Sequence, residues 1–209
     1  MNSLKFLSAL QKRRLTFVET ADVALLLKIS KHSAGKYLEA LREQKLIEKV
    51  SRGKWALVGS DFDPLQIAEF LTAPFESYIS LNSALFHHGM IEQVPTRIYA
   101  MTVGRTRLTK TPFGQFSFHK CNPCFFVGYV YHKPFLNIAT PEKALIDFFY
   151  YSSTKSREFT KLPEIELPKD FSWRKAQAFC AQIPSPRSAS LAKSRLAELR
   201  LRMGSHRTL

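Results

Sequence analysis

The sequence predicts an α+β fold, because helical and strand-like patterns occupy different parts of the 209-residue chain. Apolar residues recur at helical spacing in residues 20–44 and again in residues 141–203. Between these regions, residues 97–138 contain short runs of β-branched and aromatic side chains that are broken by Pro and Gly. This arrangement predicts a small N-terminal module, followed by a mixed α/β domain in which helices flank a central, antiparallel-rich sheet.

Length and composition fit a protein with two globular parts. The hydrophobic fraction is 45% and the chain contains 17 Phe, which favours a packed core over disorder. The link near residue 60 is polar, and after it Asp63 can cap a helix that begins at Pro64. We therefore predict domains at residues 1–60 and 61–209.

Two helices joined by a short turn are predicted at residues 20–44. Thr20 is a natural N-cap for the first helix, and Ser30, which follows Ile29 in the turn, is one for the second helix at residues 31–44. The predicted inward-facing side chains are Ala21, Ala24 and Leu25 in the first helix, and Ala34, Tyr37, Leu38 and Leu41 in the second. The outer face of the second helix is basic and rich in hydroxyls. That pattern is typical of a helix-turn-helix, in which the second helix enters the major groove.

A β-hairpin is predicted directly after the second helix. Residues 46–58 read as two short strands with Arg52-Gly53 at the bend and Trp55 anchoring the return. A ribbon in this position would be the wing of a winged helix-turn-helix, whose tip can reach phosphates. The predicted DNA-contacting residues are Ser30, Lys31, His32, Ser33, Lys36, Arg42, Arg52 and Lys54.

The net charge of +14 is unevenly distributed along the chain. Residues 1–60 hold twelve Lys and Arg against five Asp and Glu, residues 61–170 hold eleven of each, and residues 171–209 hold eight against one. A basic excess confined to both ends is typical of a protein with a polyanionic partner. Together with the helix-turn-helix pattern it predicts binding to double-stranded DNA. An ordinary helical subdomain and a protein-binding winged helix are the alternatives.

A second basic cluster lies on the helix predicted at residues 185–203. Its apolar side carries Leu191, Leu196 and Leu199. The opposite side carries Lys193, Arg195, Arg200 and Arg202. Three interpretations stay open: a solvated basic face, an extension of the DNA contact, or a contact with an acidic patch on a partner protein.

Helix and strand signals continue through residues 61–209. A helix at residues 80–88 would end at Gly89, and another would begin at Thr140-Pro141 with an inner stripe of Ala144, Leu145, Phe148 and Phe149. Pro112-Phe113-Gly114 is the predicted hairpin turn between the first two strands. The predicted strands are residues 97–103, 115–119, 125–131 and 136–138, and the last two helices are residues 173–182 and 185–203.

Several strings in this region occur together in one order. They are Ser-Leu-x-Ser-Ala-Leu at residues 80–85, Gly-x-Ile-Glu-Gln-Val-Pro at 89–95, Thr-x-x-Arg-Thr-x-x-x-x-Thr-Pro-Phe-Gly at 102–114 and Ala-Thr-Pro-Glu-Lys-Ala-Leu-x-Asp at 139–147. With the Gly-Lys-Trp of the hairpin, they resemble the abortive-infection AbiEi antitoxin family of viral-defence transcriptional regulators. The resemblance covers residues 17–150, and Phe171 onward matches nothing in it.

The resemblance implies a protein with two functions. Its winged domain would repress the promoter of its own operon, and its C-terminal domain would counteract a nucleotidyltransferase-type toxin, as in type IV toxin–antitoxin systems. The alternative is a stand-alone winged-helix regulator of defence or mobile-element genes without a toxin partner.

Catalytic patterns in the sequence are weak. Gly59-Ser60 precedes Asp61 and Asp63, but a nucleotidyltransferase carries its metal-binding carboxylates a strand's length beyond the Gly-Ser loop. The only Glu-x-Lys, Glu43-Gln44-Lys45, lies at the end of the second predicted helix rather than on the strand that a restriction-type nuclease needs. Glu142 and Asp147 are interpreted as a first-turn dipole partner and a polar cap on the core.

A zinc site is the remaining chemical alternative. His119, Cys121, Cys124 and His132 supply suitable ligand types, but the surrounding Phe-rich sequence favours small buried cysteines in a β-hairpin. We therefore expect no enzyme activity, no catalytic residues, no cofactor and no bound metal.

Further expectations concern the state of the protein. Three Cys, an odd count, favour reduced thiols and a cytoplasmic location. No apolar run approaches the roughly 20 residues that span a bilayer. The protein is expected to be a monomer in solution that is able to pair on DNA.

Overall fold

The structure is a computed structural model. It describes residues 6, 10, 15–59, 62–133, 135–152, 159 and 161–205. The fold is α+β, as predicted, with seven α-helices and two separate sheets in these residues. Each described helix is too short or too polar to cross a lipid bilayer. Residues 60 and 61, which flank the predicted domain boundary and belong to the Gly59-Ser60-Asp61 run, lie outside the described residues.

The N-terminal part has, within residues 15–59, two helices packed on a three-stranded antiparallel sheet of order β1-β3-β2. Its core is closed by buried side chains such as Leu38, Leu41 and Trp55. In chain order its elements are β1 (Phe17–Glu19), α1 (Thr20–Leu27), α2 (Lys31–Glu43), β2 (Ile47–Ser51) and β3 (Lys54–Leu57).

Ser30 caps α2 as predicted, since its Oγ accepts a hydrogen bond from the Ser33 amide at 3.0 Å. Thr20 does not cap α1, however. It is the first residue of that helix, and its hydroxyl accepts from the Trp55 indole N–H at 2.9 Å and donates to the Gly53 carbonyl at 3.3 Å. The hydroxyl therefore ties α1 to the hairpin, which leaves the N-terminus of α1 without a side-chain cap.

The predicted inner face of α1 was wrong in detail. Val23 and Ala24 are buried, whereas Leu25 is 79% exposed. An eight-residue helix has only two turns, so its apolar series is too short for periodicity to fix which side faces the core. In α2 the predicted series holds, with Ala34, Leu38 and Leu41 buried and Tyr37 half-buried.

The second sheet has six strands in the order β6-β7-β5-β4-β9-β8. Three neighbouring pairs are antiparallel, and the β5–β7 and β4–β9 pairs are parallel. The strands are β4 (Ser77–Ile79), β5 (Ile98–Thr102), β6 (Arg107–Thr111), β7 (Gly114–Lys120), β8 (Tyr129–Lys133) and β9 (Leu136–Ala139).

Two strands of this sheet were missed from the sequence. The turn at Pro112-Phe113 joins β6 to β7, whereas the sequence predicted that it joins β5 to β7. The strand β6 was missed because it is a polar edge strand without a hydrophobic run. β4 has only three residues. The predicted strand at 125–131 starts at Tyr129 instead, since Pro123–Phe125 forms a 3-10 turn that Asn122 caps.

The helices of this part pack against the sheet or against one another. As predicted, Asp63 and Pro64 start a helical segment, here a 3-10 turn (Pro64–Gln66) with a capping box. Gly89 follows the helix Leu81–His87 with φ 64°, which is also as predicted. The α-helices are α3 (Ile67–Thr72), α4 (Leu81–His87), α5 (Pro141–Ser152), α6 (Trp173–Ala181) and α7 (Pro186–Ser205).

Helix α5 is buried on almost every side, and its charged residues are buried with it. Lys143 and Asp147 are both 0% exposed, and their side chains form an ion pair at 2.7 Å. Asp147 also accepts from the hydroxyls of Tyr78 at 3.0 Å and Ser80 at 2.7 Å. Lys143 donates to the Phe125 carbonyl at 3.0 Å. Asp147 is therefore the centre of a core network and not a polar cap at its surface.

Glu142 lies in the first turn of α5, as predicted, but it also makes a contact that the sequence did not indicate. Its side chain is 4% exposed and accepts a hydrogen bond from the Ser172 amide at 2.9 Å. Because Ser172 is the N-cap of α6, this carboxylate joins the start of α5 to the start of α6. The interaction connects the two helices, in addition to any effect on the α5 dipole.

We predict that Asp147→Ala lowers the free energy of unfolding by about 3–5 kcal/mol, because it leaves the Lys143 ammonium buried without a counter-charge. In Lys143→Met/Asp147→Ala the loss should be smaller than the sum of the two single changes. Urea unfolding followed by circular dichroism measures these energies. Additive single effects would mean that the pair is not coupled.

Candidate nucleic-acid interface

The turn before α2 is built by the backbone. Lys28 adopts φ 54° after α1, and the Ile29 amide donates to the Ala24 carbonyl at 3.0 Å. With Ser30 as cap, α2 then begins at the surface. Lys31, His32 and Ser33 occupy its first turn and are exposed, so this positively polarised helix end is open to an anionic ligand.

A depression of about 910 Å³ lies between α2 and the β2–β3 hairpin. Trp55 and Gly53 form part of its hairpin side. Its charged and potentially charged lining residues are Lys31, His32, Lys36, Glu39, Glu43, Lys49 and Arg52. The structure thus brings predicted residues from two separate elements onto one concave surface.

Glu39 forms ion pairs with two of the basic residues on and beside this surface. It forms salt bridges with Lys49 at 2.5 Å and with Arg42 at 2.8 Å. The hydrogen bond from Lys49 is the main cause that lowers the pKa of the Glu39 carboxyl below its usual value. Arg42, one of the predicted contact residues, is therefore already paired on its own helix, and Lys49 also lies 5.1 Å from the Trp55 ring centroid.

Three cations remain without a carboxylate partner among the residues that the structure describes. They are Lys31, Lys36 and Arg52, and all three are exposed. Lys31 and Lys36 lie on α2, and Arg52 lies at the bend of the hairpin. The unpaired positive charge of the depression is therefore carried by both of its sides.

Lys54 does not belong to this surface, contrary to the prediction. Its side chain is 14% exposed, and its ammonium group lies 3.2 Å from the Glu19 carboxylate. The same group donates to the Phe70 carbonyl and lies 4.8 Å from the Phe70 ring centroid. Because Phe70 is in the last turn of α3, Lys54 neutralises a helix C-terminus in the second part of the protein.

Aromatic contacts accompany the Lys54 contact. Phe17 of β1 packs against Phe62, Phe70 and Phe135 at centroid distances of 5.1, 5.1 and 5.9 Å. Phe17 thereby joins the core of the second part rather than that of its own sheet. The N-terminal sheet is consequently anchored to the second part by both apolar and charged contacts.

The basic residues predicted on the C-terminal helix lie on α7. Leu196 and Leu199 are buried as expected, but Ala192 takes the place predicted for Leu191, which is 38% exposed. Lys193, Arg200 and Arg202 are exposed, and Arg195 is half-buried and donates to the Ser152 hydroxyl. Arg200 lies 5.8 Å from the Trp173 ring centroid.

The cysteines occupy different environments. Cys121 is buried, and burial is the main cause that raises the pKa of its thiol to about 12. Cys124 is exposed, in the 3-10 turn that follows β7, so the expectation of two buried cysteines in a hairpin was wrong. Within the described part of the chain, no group of three or more His, Cys, Asp and Glu side chains is placed to hold a metal ion.

No protein-family model matches this chain, and no curated protein matches it with significance.

We predict that Lys54→Met lowers the free energy of unfolding by about 1–3 kcal/mol, because it leaves the Phe70 carbonyl and the Glu19 carboxylate without their cation. Arg52→Met is the matched control, since it removes an exposed charge two residues away and should change stability by less than about 0.5 kcal/mol. Chemical denaturation compares the two variants. Equal effects would show that Lys54 is not a structural contact.

Proposed function

We propose that the N-terminal part is a winged helix-turn-helix that binds double-stranded DNA, and that the protein is a transcriptional regulator. The supporting observation is the concave surface on which Lys31 and Lys36 of α2 face Arg52 of the hairpin without carboxylate partners in the described residues. Unpaired cations that line a groove are suited to a phosphate backbone, whose neutralisation releases counterions.

The dimensions of α2 are compatible with this role. An α-helix with its side chains is about 10–12 Å across, and the major groove of B-DNA is about 12 Å wide. The exposed side chains of its N-terminal half, His32, Ser33 and Lys36, would then lie against base edges or phosphates. Arg52 would contact the backbone beside the groove, as a wing does.

The finer proposal is that the protein is an AbiEi-like antitoxin that represses its own operon and counteracts a nucleotidyltransferase toxin without being an enzyme itself. It rests on the sequence strings that resemble that family. Two of these strings meet physically, since Ser80 from the first donates to Asp147 from the last. The two strings therefore help to form one core, as expected if they are retained in a family because they stabilise a common fold. The alternative remains a stand-alone regulator.

We predict that Lys31→Ala/Lys36→Ala/Arg52→Ala abolishes specific binding to DNA from upstream of the gene. Each lost phosphate contact should make the slope of log K against log salt less negative by about 0.9. Fluorescence anisotropy at several salt concentrations measures both quantities.

The matched control for this variant is Arg105→Ala/Lys110→Ala/Lys169→Ala, which removes three exposed charges from the second part. It should bind DNA almost as the unmodified protein does. Unchanged binding by the interface variant, or an equal loss in the control, would refute the assignment of the DNA-binding surface.

The antitoxin proposal predicts that the two functions separate in the full-length chain. The Lys31→Ala/Lys36→Ala/Arg52→Ala variant should lose promoter repression but still rescue cells that express the nucleotidyltransferase encoded beside it. A full-length variant is preferable to a truncation, because Phe17 belongs to the core of the second part. If the folded variant loses rescue together with repression, or if no such toxin is neutralised by the unmodified protein, the antitoxin assignment fails.

A further inference from the structure

We propose that a cavity between α5 and α7 binds a small phosphorylated ligand. The cavity has a volume of about 300 Å³ and lies on the second part of the protein, outside the surface assigned above to DNA. Its described lining residues are Phe148, Phe149, Lys161, Leu162, Arg195, Glu198 and Arg202. Among the residues that the structure describes, three cations and one carboxylate thus line this space.

The three cations form no ion pair with another described residue. Within the described residues, none of Lys161, Arg195 and Arg202 has a carboxylate within salt-bridge distance. Arg195 and Arg202 are seven residues apart, so they lie on the same face of α7, two turns from each other. The carboxylate among the described lining residues, Glu198, lies between these two arginines along the helix and accepts from Ser194 at 3.2 Å. The three cations and one carboxylate of the described lining leave a net charge of +2, which a bound dianion would neutralise.

Arg195 is held in place for such a contact. It is half-buried, and it donates to the hydroxyl of Ser152 at the end of α5. A guanidinium has five N–H donors, so this hydrogen bond orients the group and leaves other donors for a ligand. An oriented Arg loses less entropy on binding a phosphate than a freely rotating one does.

The shape of the site favours a small ligand over a DNA backbone. Phe148 and Phe149 are almost completely buried and form an apolar wall. A concave space with an apolar wall and a few cations is typical of small-molecule sites, whereas nonspecific DNA contacts are made by protruding, fully solvated side chains. A pyrophosphate group, alone or on a nucleoside, matches the charge of the cavity.

Isothermal titration calorimetry with pyrophosphate and with ADP tests the proposal on the full-length protein. We expect a Kd of about 1 mM or lower, with sodium chloride at matched ionic strength as the blank. Lys161→Gln/Arg202→Gln should weaken binding by at least about tenfold, because each charged hydrogen bond contributes about that factor. Both side chains are exposed, so this variant should fold like the unmodified protein.

The matched control is Arg174→Gln/Arg187→Gln, which removes two exposed charges from α6 and α7 outside the cavity. Retained binding in this control supports the site. The proposal is overturned if neither probe binds at about 10 mM, if the control loses as much affinity as the cavity variant, or if the cavity variant keeps full affinity. A competition with a short DNA duplex is the last test. The proposal is overturned if the duplex displaces the probe and if the cavity variant also lowers the salt dependence of DNA binding, because the cations would then contact DNA.

Discussion

The ion pair between Lys143 and Asp147 is the contact on which the second part of the protein depends. Neither side chain is exposed, and moving two charges out of water is costly unless every polar atom finds a partner. Here Asp147 receives hydrogen bonds from the hydroxyls of Tyr78 and Ser80, and Lys143 donates to the carbonyl of Phe125. One pair of residues on α5 therefore joins strand β4, the start of α4 and the turn after β7.

The cost of desolvating two charges explains why substitutions in this network are expected to be destabilising. Burial is the main cause that raises the pKa of Asp147, and the neighbouring Lys143 is the main factor opposing it. The Lys143 ammonium also lies 3.1 Å from the Phe125 ring centroid, which adds a cation–π contact. Packing is equally tight nearby, since a Cβ on Gly128 would lie 2.6 Å from the Phe179 ring and 3.1 Å from Lys143. Gly128 also has φ 79°, so no other residue fits that position without strain.

The charged residues of the N-terminal part serve three separate purposes, although the sequence presents them as one basic excess. Arg42 and Lys49 compensate Glu39 on their own surface. Lys54 stabilises the contact with α3, where Arg107 also donates to the adjacent Leu71 carbonyl at 2.8 Å. Lys31, Lys36 and Arg52 have no carboxylate partner among the described residues, and they are the cations that the proposed DNA contact would use. Net charge therefore overstates how many cations a nucleic acid can meet, because some are consumed by folding.

The sequence by itself determined the α+β class, the helix bounds to within a few residues and the caps at Ser30 and Asp63, because these depend on local periodicity and hydrogen bonds between near neighbours. It also located Lys31, Lys36 and Arg52 in the depression, although it missed Lys49. It did not reveal β4 or β6, the exposure of Leu25 and Cys124, the partial burial of Lys54, or the complete burial of Lys143 and Asp147. Those outcomes are decided by partners far away in the chain: Lys54 contacts Phe70, and Asp147 contacts residues 67 and 69 positions earlier. The sequence shows which residues are charged, but whether a charged group faces water or a buried carbonyl is determined only when distant segments pack together.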